Sequence, residues 1–262
     1  MIRIRPRAIL LLALPLLAVL IAPSARAQQT KLTYAGFLED AQVLTLRLDM
    51  SGADKSSYYM SVGGELIGLL ANMYPFHMEL SSQGRLAGQG ADPSRFSSDI
   101  NMPEGSRAVT LIYSAGGNIQ MTDNPSTQEG QQAFARGLVR GTIDPLSGVV
   151  AIARRIGNGQ ACSGNVPVFD GVRRFNLALM PLPASAVPPH NLRVTLANPP
   201  RGCDAALTLL SGFPQSAIDS GMYPKTARFW FTSELNSPWP VLLRIDADSG
   251  LGHIRMDFVS AN

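Results

Sequence analysis

The chain has 262 residues, 45% hydrophobic and only 16% charged, against roughly 25% charged in an average soluble domain. A composition this apolar folds, which excludes a disordered or collagen-like chain. The net charge of +3 belongs to the leader: without Arg3, Arg5, Arg7 and Arg26, eighteen basic side chains face nineteen acidic ones, so no basic excess remains to hold a phosphate backbone and nucleic acid is not an expected partner.

Three arginines precede the 15-residue apolar run Ala8 to Ala22, followed by Pro23-Ser24-Ala25-Arg26-Ala27. This pattern predicts a secretory signal peptide over 1–27, cut after Ala27. The run is shorter than the roughly 20 residues a membrane-crossing helix needs, and no later stretch is longer. No cysteine follows the cleavage site, so lipoprotein acylation is not expected. The expected mature protein is 28–262, one β-rich domain exported to the periplasm, with oligomeric state left open.

In chain order, Leu44, Leu46, Leu48 and Met50 alternate with Val43, Thr45, Arg47 and Asp49, the period of a strand with one apolar face. Leu66, Leu69, Leu70 and Met73 then share a helical stripe that Pro75 terminates, predicting a short helix over 64–73. Gly116-Gly117 separates two short strands. Asp144 can cap a helix opening at Pro145, whose stripe is Leu146, Val149, Val150 and Ala153, and which runs to about Arg155. Asp170-Gly171, between Val166–Phe169 and Val172–Phe175, predicts a two-residue hairpin turn. A proline-rich excursion occupies 181–203. Alternation returns at Ala227, Phe229 and Phe231, at Val241, Leu243 and Ile245, and at Ile254, Met256 and Phe258. One-faced strands belong to antiparallel sheets. The expected fold is mainly β: a curved antiparallel sheet or half-barrel curling around two short helices.

Cys162 and Cys203 are the only cysteines, and export favours a disulfide between them. Catalytic signals are weak. Asp144-Pro145-Leu146-Ser147-Gly148 puts proline where a nucleophile elbow keeps glycine, so it reads as a helix start. His77, His190 and His253 stand at no metal-ligand spacing, and no cofactor or metal is expected. Gly88-Gln89-Gly90 lacks the third glycine of a phosphate loop. The doublets Arg154-Arg155 and Arg173-Arg174 could fork an anionic ligand, but a helix end and a solvated turn explain them. Trp230, Trp239 and the tyrosines either fill the core or line a groove for sugars or lipid tails.

Thr142-Ile143-Asp144-Pro145-Leu146-Ser147, Pro167-Val168-Phe169-Asp170-Gly171-Val172-Arg173-Arg174-Phe175, Leu210-Ser211-Gly212-Phe213 and Trp239-Pro240-Val241 together resemble domain-of-unknown-function family 3108, a group of exported bacterial proteins. The likeness runs across most of the mature chain. It implies a half-barrel like those of periplasmic lipoprotein carriers, and no catalytic residues. After the paired arginines, where members often carry an acidic or aromatic residue, this chain has Asn176.

These readings lead to a non-enzymatic periplasmic binding or envelope-maintenance protein that holds a lipid, or another hydrophobic envelope component, on a concave sheet face. An interaction protein that pairs through its sheet edges ranks second. An envelope glycan hydrolase ranks third and would need two carboxylates facing across a cleft.

Overall fold

The structure, a computed structural model, describes residues 28–52, 56–88, 90–183, 185–237 and 239–262. The leader and the cleavage point after Ala27 lie outside them, as does Gln89 of the glycine-rich turn. Seven strands come first: β1 (Gln28–Leu38), β2 (Ala41–Gly52), β3 (Ser57–Leu66), β4 (His77–Ala87), β5 (Gly90–Met102), β6 (Gly105–Ser114) and β7 (Asn118–Asn124). Six more follow: β8 (Gly164–Phe169), β9 (Arg174–Met180), β10 (Arg201–Ser211), β11 (Thr226–Thr232), β12 (Val241–Ser249) and β13 (Gly252–Ala261). The helices are α1 (Gly68–Met73), α2 (Gln128–Ala135), α3 (Pro145–Gly157) and α4 (Gln215–Asp219). Four helices among the described residues replace the two expected. The eight-residue α2 and the five-residue α4 are too short to announce themselves by periodicity.

The strands form one antiparallel sheet in the order β7-β6-β5-β4-β3-β2-β1-β13-β12-β11-β10-β9-β8. Two hairpin meanders are joined where β1 pairs with β13, with Tyr34 opposite Phe258 and Gly36 opposite Met256. The sheet curls but does not close by strand pairing, since β7 and β8 are its two outer strands. Other contacts cover the seam between them. Ile143 makes a parallel bridge to Val168, Gly141 N donates to Gly117 O at 3.3 Å, and the Phe134 and Phe169 rings meet edge to face at 5.7 Å.

Inward-facing side chains show where the curl is filled. At the level of Met50, Met60, Ser82, Phe96 and Leu111, every residue is at most 3% exposed. Helix α3 fills this half, packing on β4, β5, β8 and β11. Towards the other end, past Leu48 and Leu80, the inward-facing Leu44, Met78 and Met256 are only half-buried. The sheet is therefore a cup, with a filled floor and an open mouth on the side of the β1–β2, β3–β4, β5–β6 and β12–β13 connections.

Four sequence readings are corrected. The helix expected over 64–73 begins at Gly68, since Glu65 and Leu66 still pair with β2. It fills nothing: Leu69 and Met73 are 74% and 72% exposed, so the stripe lies on the mouth. The Asp170-Gly171 turn is four residues long, because Phe169 pairs directly with Arg174. Arg174 is not solvated but buried. Finally, β11 and β12 are buried on both faces, as Trp230, Leu242 and Arg244 show beside Phe231 and Leu243. The proline-rich segment is the reason. Among its described residues it forms no strand between Met180 and Arg201, and it packs Leu182, Leu192, Val194 and Leu196 against the core. Asn191 Oδ1 accepts from Arg244 Nη2 at 2.9 Å, while Glu234 accepts from the Ala197 and Asn198 amides.

Candidate functional site

The floor of the cup is built from the Asp144-Pro145-Leu146-Ser147 start of α3. Asp144 is the N-cap, its Oδ1 accepting from Ser147 N at 2.9 Å, and Pro145 costs no hydrogen bond at a position whose amide has no helical partner. Asp144 Oδ2 accepts from Ser82 Oγ at 3.0 Å and from Ser147 Oγ at 2.5 Å. With the serine proton directed at the carboxylate, the Tyr58 hydroxyl donates to Ser147 Oγ at 2.6 Å. All four residues are buried, so each bond forms in a low-dielectric setting where a lost partner is costly. Burial raises the Asp144 carboxyl above its ordinary range, opposed by the hydrogen bonds from Ser147 and Ser82. The Tyr58 hydroxyl is pushed up to about 12, first by burial and then by the Asp144 charge. The sequence reading of Asp144 and Ser147 as a helix start is correct locally. That the cap also ties the helix to β3 and β4 depended on strands more than 60 residues away.

Above this floor lies an apolar cavity of about 200 Å³ between α3 and the walls formed by β1–β4, β12 and β13. Leu146, Val149 and Ala153 present one side of the helix to it, facing Leu46, Leu48, Met60, Val62 and Met78, while Trp239 and Pro240 close the flank. The Tyr34 hydroxyl also lies here but donates to Leu242 O at 3.0 Å, so the lining offers a ligand almost no free polar group. An apolar hole of about 150 Å³ is enough to stay dry and take up benzene. Of the aromatic residues named from the sequence, Trp239 lines this space and Trp230 faces the outer side of the sheet, opposite Arg244.

The second sequence motif closes the seam. Asp170 Oδ1 accepts from the Val172 and Arg173 amides, and its Oδ2 takes Arg173 Nε at 2.9 Å. Gly171 adopts φ 96° and packs on Val109 of β6, and its carbonyl accepts from Arg107 Nη2 at 3.4 Å. Arg107 is itself paired with Asp123 through two bonds of 2.9 Å. Among the described residues Arg174 has no carboxylate partner. Its guanidinium donates to the carbonyls of Leu138 and Phe175 and to Asn176 Oδ1, and burial lowers its pKa. Asn176 is thus an acceptor for the buried arginine. The other doublet is at the end of α3, where Arg154 Nη1 donates to Gly90 O and Arg155 Nη1 to Ser163 O. Neither doublet converges on a ligand site. Cys162 and Cys203 are bridged, tying the approach to β8 to β10.

A larger open hollow of about 480 Å³ lies on the outer face beside the proline-rich segment. Its charges satisfy one another: Arg228 grips Asp204 at 2.6 and 2.8 Å, Arg244 meets Asp257 at 2.5 Å, and His253 Nδ1 meets Asp248 at 2.9 Å. His77 stands at the surface, 3.4 Å from Glu79. Among the described residues no group of three or more His, Cys, Asp or Glu could hold a metal ion, and no helix is long and apolar enough to cross a membrane. The interior cavity is therefore the candidate site.

No curated protein matches the chain. Among solved structures, the crystal structure of a beta-barrel-like protein of domain of unknown function DUF1849 from Brucella abortus is similar to it, at 13% identity and a TM-score of 0.48, covering 89% of this chain and 97% of that one. The family model described as Protein of unknown function (DUF3108) matches residues 29–259, a span holding both the Asp-Pro-Leu-Ser floor and the Phe-Asp-Gly-Val-Arg-Arg seam, and the chain belongs to that family.

Proposed function

We propose that this protein is an exported, non-enzymatic carrier that holds the hydrocarbon part of a lipid, or of a lipidated envelope component, inside the cup. The observation that carries this reading is the dry-walled cavity of about 200 Å³ between a pinned helical floor and an open mouth. Each methylene buried there contributes about 0.8 kcal/mol, so six contribute roughly 5 kcal/mol before ordering costs are subtracted. The lining has no unpaired charge to fix a polar headgroup, which would stay at the mouth. The arginine-rich leader supports placement in the periplasm, where such components travel between membranes.

Fluorescence can test this directly. Trp230→Phe leaves Trp239, beside the cavity, as the only indole, and a bromine-labelled fatty acid below its micelle concentration should quench it saturably. Native mass spectrometry of protein isolated without detergent should show a bound hydrophobic species. Absence of both the quenching and the bound species would end the carrier reading.

A further inference from the structure

Exposed large apolar side chains are unevenly placed. Leu69 and Met73 lie in the β3–β4 connection, Ile218 and Met222 in the β10–β11 connection, Met102 at the β5–β6 turn and Leu251 at the β12–β13 turn. The strand registers put all of these at one end of the sheet: Leu44 faces Leu66, Leu38 faces Ile254, and Ala227 faces Ala247. That end is the mouth of the cup. Leu210, 42% exposed, lies near the end of β10; beyond it and the mouth connections, only Tyr59, Met180 and Val187 among the described residues are large, apolar and exposed.

The two main patches repeat one device. Leu69-x-x-x-Met73-Tyr74-Pro75 follows the pattern of Ile218-x-x-x-Met222-Tyr223-Pro224. In each, a short helix, α1 or α4, leads to a Met-Tyr-Pro tip that leads into the next strand. In α1 the i,i+4 spacing puts Leu69 and Met73 on one side of the helix, whereas Met222 lies just past α4, after Gly221 at φ 68°, with its amide donating to Ala217 O at 3.0 Å. The tips belong to separate meanders, on either side of the β1–β13 junction. Neither tip segment carries a basic side chain, and the Tyr74 hydroxyl donates to Glu104 Oε2 of the β5–β6 turn at 2.8 Å. Ile67–Phe76 contains no ionisable side chain other than Tyr74, and Gly212–Pro224 adds only Asp219, held by Gln215 Nε2 at 2.7 Å, beside Tyr223. A patch that meets a protein usually carries a polar, charged rim. A pair of apolar tips with no basic side chain of their own, each with a tyrosine at its base, complements an electroneutral surface rather than an anionic one, and its headgroup level suits tyrosine.

We propose that the two Met-Tyr-Pro tips dock the mouth of the cup on a phospholipid bilayer, inserting Leu69, Met73, Ile218 and Met222 into the headgroup boundary. The inference rests on the carrier reading for its purpose: docking places the mouth where an acyl chain can pass between bilayer and cavity without crossing water. It also explains why the predicted helix at 64–73 has an apolar stripe and yet covers none of the core.

Flotation of the protein with phosphatidylcholine vesicles tests it, using wild type, L69S/M73S, I218S/M222S and the control V187S, which replaces an equally exposed apolar residue of the proline-rich segment on the outer face. Wild type should float with the vesicles, each rim pair should lower partitioning about tenfold, and V187S should behave as wild type. Fatty-acid quenching of Trp239 should be unchanged in the rim variants, which also reports that they are folded; L69K and M222K singly serve if a double variant does not fold. The proposal is overturned if wild type stays with the protein fraction or floats only with anionic vesicles, if the rim variants partition as wild type does, or if V187S loses as much. Fatty-acid binding without vesicle binding would sink docking and leave the carrier standing; vesicle binding without fatty-acid binding would do the reverse.

Discussion

Ser82 on β4 donates to Asp144 Oδ2 at 3.0 Å across 62 residues of sequence, so the group that caps helix α3 also fastens it to the wall of the sheet. One carboxylate thereby settles both where the helix begins and how deep it sits in the cup. A cavity forms above the helix because its first turn is held at the floor.

Asp144→Ala should remove the cap and leave two buried serine hydroxyls without their acceptor, at a cost of about 2–4 kcal/mol. Asp144→Asn keeps an N-cap oxygen and should cost about 1 kcal/mol. Urea unfolding followed by tryptophan fluorescence separates the two, and equal losses would contradict the pinning role.

The same carboxyl makes stability depend on pH. Its folded pKa lies above the ordinary value of 3.8 because burial disfavours the charge. The folded state therefore binds this proton more tightly than the unfolded chain, so the contribution is largest below about pH 4 and is lost as pH rises through the folded value. Wild type should lose stability relative to Asp144→Asn as pH rises from 4 towards neutrality. A constant difference between the two proteins' urea midpoints across that range would refute this.

At the seam, Gly171 combines φ 96° with close packing on Val109. A methyl group there runs into Val109 Cγ1 in a conformation that L residues avoid, so Gly171→Ala should destabilise by about 2–4 kcal/mol. Hydrogen exchange should rise first in β6 and β8, the strands the turn brings together through Val109 and Arg107.

The Cys162–Cys203 bridge closes a separation of 41 residues, which in the chain-entropy description is worth about 4 kcal/mol. Cys162→Ser/Cys203→Ser should lower the unfolding midpoint accordingly, and reductant should have the same effect on wild type and none on the variant.

Filling the cavity should block it. Leu48→Phe adds volume at a half-buried lining position and should weaken fatty-acid quenching of Trp239 about tenfold, while changing stability by no more than roughly 1–2 kcal/mol. Unchanged affinity would place the bound chain elsewhere.

Much of this fold is legible before any coordinates. Alternation at Leu44–Met50 and Ile254–Phe258 marks β2 and β13, Asp144-Pro145 marks the start of α3, and Gly116-Gly117 marks the β6–β7 turn, because the periods of strand and helix and the chemistry of caps and turns act over a few residues. Cys162 and Cys203 also pair as their number suggests. Tertiary structure decided what those local patterns meet. An apolar stripe reads the same whether it fills a cup, as Leu146 and Val150 help to do, or is exposed on its mouth, as Leu69 and Met73 are. Arg174 is adjacent to a turn in sequence yet buried, since only the folded sheet brings the carbonyl of Leu138 to it. Periodicity records which face of an element avoids water; what covers that face is settled by residues far along the chain, through contacts that leave no local trace.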